Sequence, residues 1–218
     1  MLEALGANIA LTPAQTGEAI DKLGLGFMFA PAHHAAMKHA APVRKELGVR
    51  TLFNILGPLT NPAGAKHQVM GVFHPDLVGI QVRVLQRLGS KHVMTVHGLD
   101  GLDEISISGE TLVGELRNGE ISEYRLHPSQ VGMELYDRRA IEVHTVEESK
   151  EMILAVLGNQ PGPARSIAAL NAGAAIYVSG VAASHKAGVE RALRAIESGD
   201  ARRKLDELVA FTKKLKTA

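Results

Sequence analysis

Asp103 and Glu104 stand side by side at the end of the stretch Gly98-Leu99-Asp100-Gly101-Leu102-Asp103-Glu104. Adjacent carboxylates on a glycine-flanked loop are not locked into a strand, so they can reach different coordination positions around one cation. Mg²⁺ is usually held by one or two carboxylates, with substrate phosphates and water completing its octahedron. The same pair would also suit a plain exposed acidic turn, since Asp and Glu are mostly surface residues. A second candidate is Arg44, in the run HHAAMKHAAPVRKELGVRTLFNILGPLTNP from His33 to Pro62. A planar guanidinium grips a carboxylate through two parallel hydrogen bonds, which Lys cannot do; a solvated Arg beside Lys45 and Glu46 is the competing reading. Between His33 and Arg50, Lys38, Arg44, Lys45 and Arg50 oppose Glu46 alone, whereas the whole chain carries only +1. Positive charge gathered beside a turn-rich loop suits an anionic small molecule. Of the histidines here, His33 and His34 are adjacent, and His39 lies at i+4 from neither, so the zinc-helix spacing is absent. His34 could donate a hydrogen bond to a substrate or cap the helix after Pro31.

Other chemistries lack their patterns. There is no G-x-G-x-x-G, no Walker A sequence and no G-x-S-x-G, so dinucleotide, P-loop and hydrolase-elbow readings have no support. The chain has no cysteine, which excludes disulfides and Cys-type metal sites. With no Trp, 3 Tyr and 5 Phe among 218 residues, it offers little aromatic surface for stacking nucleic-acid bases. The 45% hydrophobic and 22% charged content match a soluble globular protein. The start lacks a basic n-region and a long apolar h-region, and Asn171 and Gly173 interrupt the most apolar later run. A cytoplasmic protein without membrane attachment is the expectation.

The elements that must position these residues read as α/β. Thr12-Pro13-x-Gln15 predicts a capped helix to Lys22, ended by Gly24. Phe27–Ala30 reads as a short buried strand stopped by Pro31, and His33–Leu47 as two helices broken at Pro42. His67–Phe73 and His92–His97 are apolar strands around a helix that begins after Pro75-Asp76 and ends at Gly89. That strand–helix–strand unit predicts a parallel pair, with ligands bound beyond the carboxyl ends of its strands, where Asp103-Glu104 lies. Ile105–Leu126 alternates apolar and polar residues around Asn118-Gly119, predicting an antiparallel hairpin added to the sheet. Thr145–Glu148 opens another capped helix, Arg165–Val178 a core helix, and Ser184–Ile196 and Asp200–Leu215 amphipathic ones.

HHAAMKHAAPVRKELGVRTLFNILGPLTNPA, together with QVMGVF, VHGLDGLDEIS and ALNAGAAIYV further along, closely resembles the anthranilate phosphoribosyltransferases of tryptophan biosynthesis. The resemblance runs from about Met1 to the C-terminus. It implies a mainly parallel α/β sheet with flanking helices, like that of the nucleoside phosphorylases and phosphoribosyltransferases, with a hairpin addition. By it, residues 1–31 and 50–218 form the α/β domain and 32–49 a helical insert belonging to a small helical domain. Arg44 would hold the anthranilate carboxylate, with His34 and Pro58 lining the same tunnel. Asp103 and Glu104 would bind Mg²⁺ on the diphosphate of 5-phosphoribosyl 1-pyrophosphate; no residue is assigned to proton transfer. The implied reaction joins the anthranilate nitrogen to ribose C1 and releases diphosphate. The family's N-terminal helices, its GTGGD loop and its KHGNR segment have no counterpart here. The expectation is therefore a C-terminal part, incomplete at its N-terminal side, with an exposed sheet edge, inactive alone, and with the family's homodimer contact largely outside it. Two competing readings are a non-catalytic, nucleic-acid-binding relative of the same fold and a pyrimidine nucleoside phosphorylase, which lacks the HHAAMKHAAPVR string.

Overall fold

Thr12 opens the first long helix as its type requires. Its hydroxyl accepts from the Gln15 amide while the Gln15 side chain accepts from the Thr12 amide, closing a capping box over α1 (Pro13–Leu23). Gly24, at φ +71°, ends that helix in the left-handed region. The computed structural model describes residues 1–33 and 53–215. Two single-turn helices come next, α2 (Ala30–His33) and α3 (Phe53–Leu56), then a 3-10 turn at Gly57–Thr60. The sheet and its crossover are β1 (His67–Gly71), α4 (Asp76–Arg87), β2 (His92–Gly98), β3 (Thr111–Arg117) and β4 (Glu120–Leu126). The C-terminal half adds α5 (Val146–Leu157), α6 (Pro163–Val178), α7 (His185–Glu197) and α8 (Asp200–Lys213).

The four strands lie in the order β1-β2-β3-β4. β1 and β2 are parallel, with His67 opposite His92 and Gly71 opposite Val96, as the strand–helix–strand pattern predicts. β2–β3 and β3–β4 are antiparallel, and the turn is Asn118-Gly119, at φ +53° and +85°. Those two positive values are what a tight right-twisting hairpin demands. The α/β class holds, but the described sheet is mixed, with one parallel pairing against two antiparallel ones, rather than mainly parallel. The long hairpin supplies half of its strands.

Alternation along the strands separates two apolar layers. Met94 and Val96 of β2 and Val113 of β3 face α6 with Leu170, Ala174 and Val178. Val93 and Leu116 face the other way, onto Val78, Val82 and Leu85 of α4. β2 is buried on both faces at every residue, which explains its unbroken apolar character. On the α4 side Gly114 is required by close approach: a Cβ there would lie 2.7 Å from Thr95 Oγ1 and 3.1 Å from the Val78 carbonyl.

Two sequence expectations fail locally. Phe27–Ala30 forms no strand; Phe27 and Phe29 are 40% and 38% exposed, and Ala30 instead begins α2. Gly26 packs on Ile20 and Thr16 of α1, so the segment folds back on its own helix instead of pairing with a strand. Pro31 does not stop an element there; it occupies the first turn of a helix, where its missing N–H is not needed. The hairpin, expected from Ile105, starts only at Thr111, because Ile105–Ile107 runs through the core without a strand partner. The expected helices around Pro42 lie outside the described residues.

Candidate active site

The carboxyl end of β2 leads directly into the acidic loop. Gly98 N–H donates to the Leu102 carbonyl (2.8 Å) and Gly101, at φ +93°, donates back to Gly98 (2.9 Å), so the chain makes a tight reversal. Leu99 N–H is tied to the Glu110 carbonyl (2.9 Å) just before β3. Asp100 staples the loop internally: the Ser106 hydroxyl donates to Oδ2 at 2.6 Å and the Leu102 amide to Oδ1 at 3.3 Å. Arg138 Nη1 donates to the Asp100 carbonyl at 3.2 Å. Three acidic residues thus divide their work, Asp100 shaping the loop while Asp103 and Glu104 remain exposed.

The segment after Glu104 turns inward, which leaves the acidic pair at the surface. Ile105, Ser106 and Ile107 are all at or below 1% exposed, and the two isoleucines join the core beneath α6. A buried, strandless segment needs other partners for its backbone. Ile105 N–H donates to Asn171 Oδ1 (2.9 Å), Asn171 Nδ2 donates to the Ile105 carbonyl (3.0 Å), and Ser106 N–H donates to Thr111 Oγ1 (3.0 Å). On the other side the loop rests on β1: a Cβ at Gly71 would lie 1.6 Å from the Asp103 carbonyl oxygen. His97 Nδ1–H donates to the Val72 carbonyl (2.8 Å), tying the end of β2 to the residue after β1.

Among the described residues, neither the Asp103 nor the Glu104 carboxylate takes part in a hydrogen bond or ion pair. Partial desolvation of the carboxyl, and secondarily the Asp103 charge, push Glu104 above its usual range. A bound cation would relieve both penalties by favouring the ionised form. No cluster of three or more His, Cys, Asp or Glu that could cage a metal occurs among the described residues. The exposed pair fits a hard cation that keeps waters and shares a phosphate ligand, the habit of Mg²⁺.

Pro58 lies exposed in the 3-10 turn before β1, and its carbonyl accepts from Gln68 Nε2 at 3.1 Å. Gln68 is three residues before Gly71, about 10 Å along the strand, so β1 carries both the Pro58 tether and the seat of the acidic loop. His33 is engaged locally, its ring within 3.1 Å of the Phe29 carbonyl and 3.2 Å of Thr16 Oγ1. His34 and Arg44 lie outside the described residues. The sequence did not mark Asn171, Ser106 or Gly71 as parts of the site. Asn171 gave a signal, a polar residue inside an otherwise apolar helix, whereas the roles of Gly71 and Ser106 come only from which backbone each one meets.

No helix among the described residues is long and apolar enough to cross a membrane. Curated anthranilate phosphoribosyltransferases are similar in sequence: that of Dechloromonas aromatica is 63% identical over 214 residues, 98% of this chain and 63% of its own length. That of Leptothrix cholodnii is 62% identical over 218 residues, 100% of this chain and 63% of its own length. The chain thus spans less than two thirds of these relatives. The crystal structure of anthranilate phosphoribosyltransferase from Thermus thermophilus superposes with a TM-score of 0.89 at 43% identity, covering 97% of this chain and 63% of that one. The Saccharomyces cerevisiae enzyme in complex with PRPP and Mg gives 0.89 at 25% identity, covering 98% and 62%. The family model described as glycosyl transferase family, a/b domain, matches residues 1–202, and the chain belongs to that family.

Proposed function

We propose that this chain is the part of an anthranilate phosphoribosyltransferase that supplies the acidic loop and the anthranilate-binding segment. The observation that carries the reading is identity of 60–63% with enzymes of that name across nearly the whole chain, together with two carboxylates that have no partner among the described residues, on a hydrogen-bonded loop beyond the β1–β2 pair. In the reaction the anthranilate amine attacks ribose C1 of 5-phosphoribosyl 1-pyrophosphate. The C1–oxygen bond to diphosphate breaks, diphosphate leaves with the electron pair, and the new ammonium loses its proton. Bound at Asp103 and Glu104, Mg²⁺ would neutralise charge building on the diphosphate.

The chain's own residues would act mainly by placement. Arg44 clamps the anthranilate carboxylate, with His34 and Pro58 lining its path, so that a weak aromatic amine is held at the sugar carbon. Residues 32–49 belong to a small helical domain, and 1–31 with 50–218 to the α/β domain, which puts the clamp and the acidic loop on opposite sides of a cleft. The family's cytoplasmic setting and homodimer are part of the same proposal. The nucleic-acid reading is not favoured by the relatives the chain matches, which are named as anthranilate phosphoribosyltransferases.

The test is loss of anthranilate fluorescence with 5-phosphoribosyl 1-pyrophosphate and Mg²⁺. It is run on the chain alone and on the chain joined to the portion of the Dechloromonas aromatica enzyme that it does not span. Turnover by the joined protein, abolished without Mg²⁺, is the expected result. A folded joined protein that ignores anthranilate, or that instead cleaves a pyrimidine nucleoside with phosphate, would overturn the assignment.

A further inference from the structure

Asn is a poor residue for a helix interior, yet Asn171 stands in the middle of α6 between Leu170, fully buried, and Ala172. All of its main hydrogen-bonding capacity is used. Oδ1 accepts from Ile105 N–H, and Nδ2 donates to the Ile105 carbonyl and to the Ile167 carbonyl (3.1 Å) one turn back. It pairs with Ile105 as a strand neighbour would, exchanging an N–H and a carbonyl with one residue.

The consequence falls on Glu104. Ile105 N–H belongs to the Glu104–Ile105 peptide plane, and that plane is rigid. Holding the N–H therefore sets ψ of Glu104 and the direction in which its side chain leaves the core. The preceding plane, through the Asp103 carbonyl, is seated against Gly71, where even a Cβ would not fit. Glu104 is thus held from both sides, by β1 before it and by α6 after it.

The anchor itself is rigid. α6 meets α7 backbone to backbone, since a Cβ on Gly188 would lie 2.1 Å from the Gly173 carbonyl oxygen. His185 Nε2–H of α7 also donates to the Leu170 carbonyl at 2.9 Å, beside Asn171. The helix carrying Asn171 therefore cannot shift without breaking a second contact.

We infer that Asn171 is a positioning residue for the acidic pair, fixing the Glu104 carboxylate where a divalent cation on a diphosphate can use it. The inference rests on the reading of Asp103 and Glu104 as the cation ligands. Residues that orient a metal ligand typically cost 10–100-fold in metal affinity when removed, so Asn171→Ala and Asn171→Ser should each weaken binding by about tenfold or more.

The probe is Mn²⁺, titrated by electron paramagnetic resonance into the joined protein with 5-phosphoribosyl 1-pyrophosphate present, well below the melting transition. Glu104→Gln is the control for the underlying reading. If Glu104→Gln binds Mn²⁺ as the unmodified joined protein does, or if the unmodified joined protein shows no saturable binding, the ligand reading fails and the inference with it. If Glu104→Gln loses binding while folded Asn171→Ala and Asn171→Ser keep it, only the inference is overturned, and Asn171 is a structural residue that lowers the melting temperature alone. A second readout uses the unmodified joined protein and does not depend on the variants folding. Saturating Mn²⁺ with the diphosphate substrate should slow hydrogen exchange of the Ile105 amide, and an unchanged rate counts against the coupling.

Discussion

Glu115 offers a test of how the sheet is held to its covering helix at the end remote from the acidic loop. It sits on β3, facing α6, with 8% of its surface exposed, and it accepts three hydrogen bonds. His92 Nε2–H donates to Oε1 at 3.0 Å, Tyr177 Oη–H to the same oxygen at 2.7 Å, and Tyr124 Oη–H to Oε2 at 2.8 Å. The group joins β2, β3, β4 and α6 at one carboxylate. Burial alone would push that carboxyl up, but hydrogen bonds from Tyr177, Tyr124 and His92 outweigh it and hold the carboxyl below its usual range. Burial and the same carboxylate raise Tyr124, and burial with Glu115 pushes Tyr177 up to about 12. Glu115→Ala leaves three donors without their acceptor. A buried unsatisfied donor costs about 1–3 kcal/mol, which would give roughly 3–9 kcal/mol if all three stayed dry. They do not all stay dry: Tyr124 is 37% exposed, and a cavity of about 320 Å³ lined by Glu115, Arg117 and Tyr177 admits water. The lower bound, about 3 kcal/mol, is therefore the expected loss at neutral pH. For a domain of this size it corresponds to a fall of about 6–12 °C in melting temperature, measured by thermal and urea unfolding. The pH dependence supplies the sign. A depressed carboxyl contributes stability that is complete above its unfolded value of 4.5 and disappears as pH falls through the folded one. The two proteins should therefore converge on acidification below 4.5. A loss under about 1 kcal/mol, or a gap that persists undiminished in acid, would refute the account.

Glu104→Gln should raise the melting temperature of the cation-free chain while abolishing Mn²⁺ binding. A raised carboxyl binds its proton more tightly when folded, so its ionised form opposes folding as pH rises past 4.5; the gain, read by thermal scans, should be absent below 4.5 and grow as pH rises above it. Gly71→Ala forces a methyl into the Asp103 carbonyl and should cost about 1–3 kcal/mol by urea unfolding, with hydrogen exchange across Asp103–Ser106 accelerated. Arg44→Ala, in the joined protein, should raise KM for anthranilate far more than KM for the phosphoribosyl donor; an equal rise in both would count against a carboxylate clamp.

Local elements were legible in the amino-acid sequence wherever a local cause exists. The boxes at Thr12–Gln15 and Thr145–Glu148 mark helix starts because each needs only residues three apart. The β1–α4–β2 unit was legible from its change of apolar period, and the hairpin turn from Asn118-Gly119, since few other pairs tolerate two positive φ angles. The acidic pair was legible as a type and a position, two carboxylates past the end of a strand. What holds them emerges from long-range contacts. Ile105–Ile107 alternates like a strand yet pairs with none, because the side chains of Asn171 and Thr111 satisfy its backbone across 66 and 5 residues of sequence. Phe27–Ala30 is apolar like a strand, yet it folds onto α1, since apolar character asks for burial without saying against what. Gly71 reads as an ordinary glycine until the Asp103 carbonyl is seen to occupy the place of its missing side chain. Short-range hydrogen bonds and backbone sterics are written in neighbouring residues, whereas the direction of a carboxylate depends on contacts that exist only once distant segments have met.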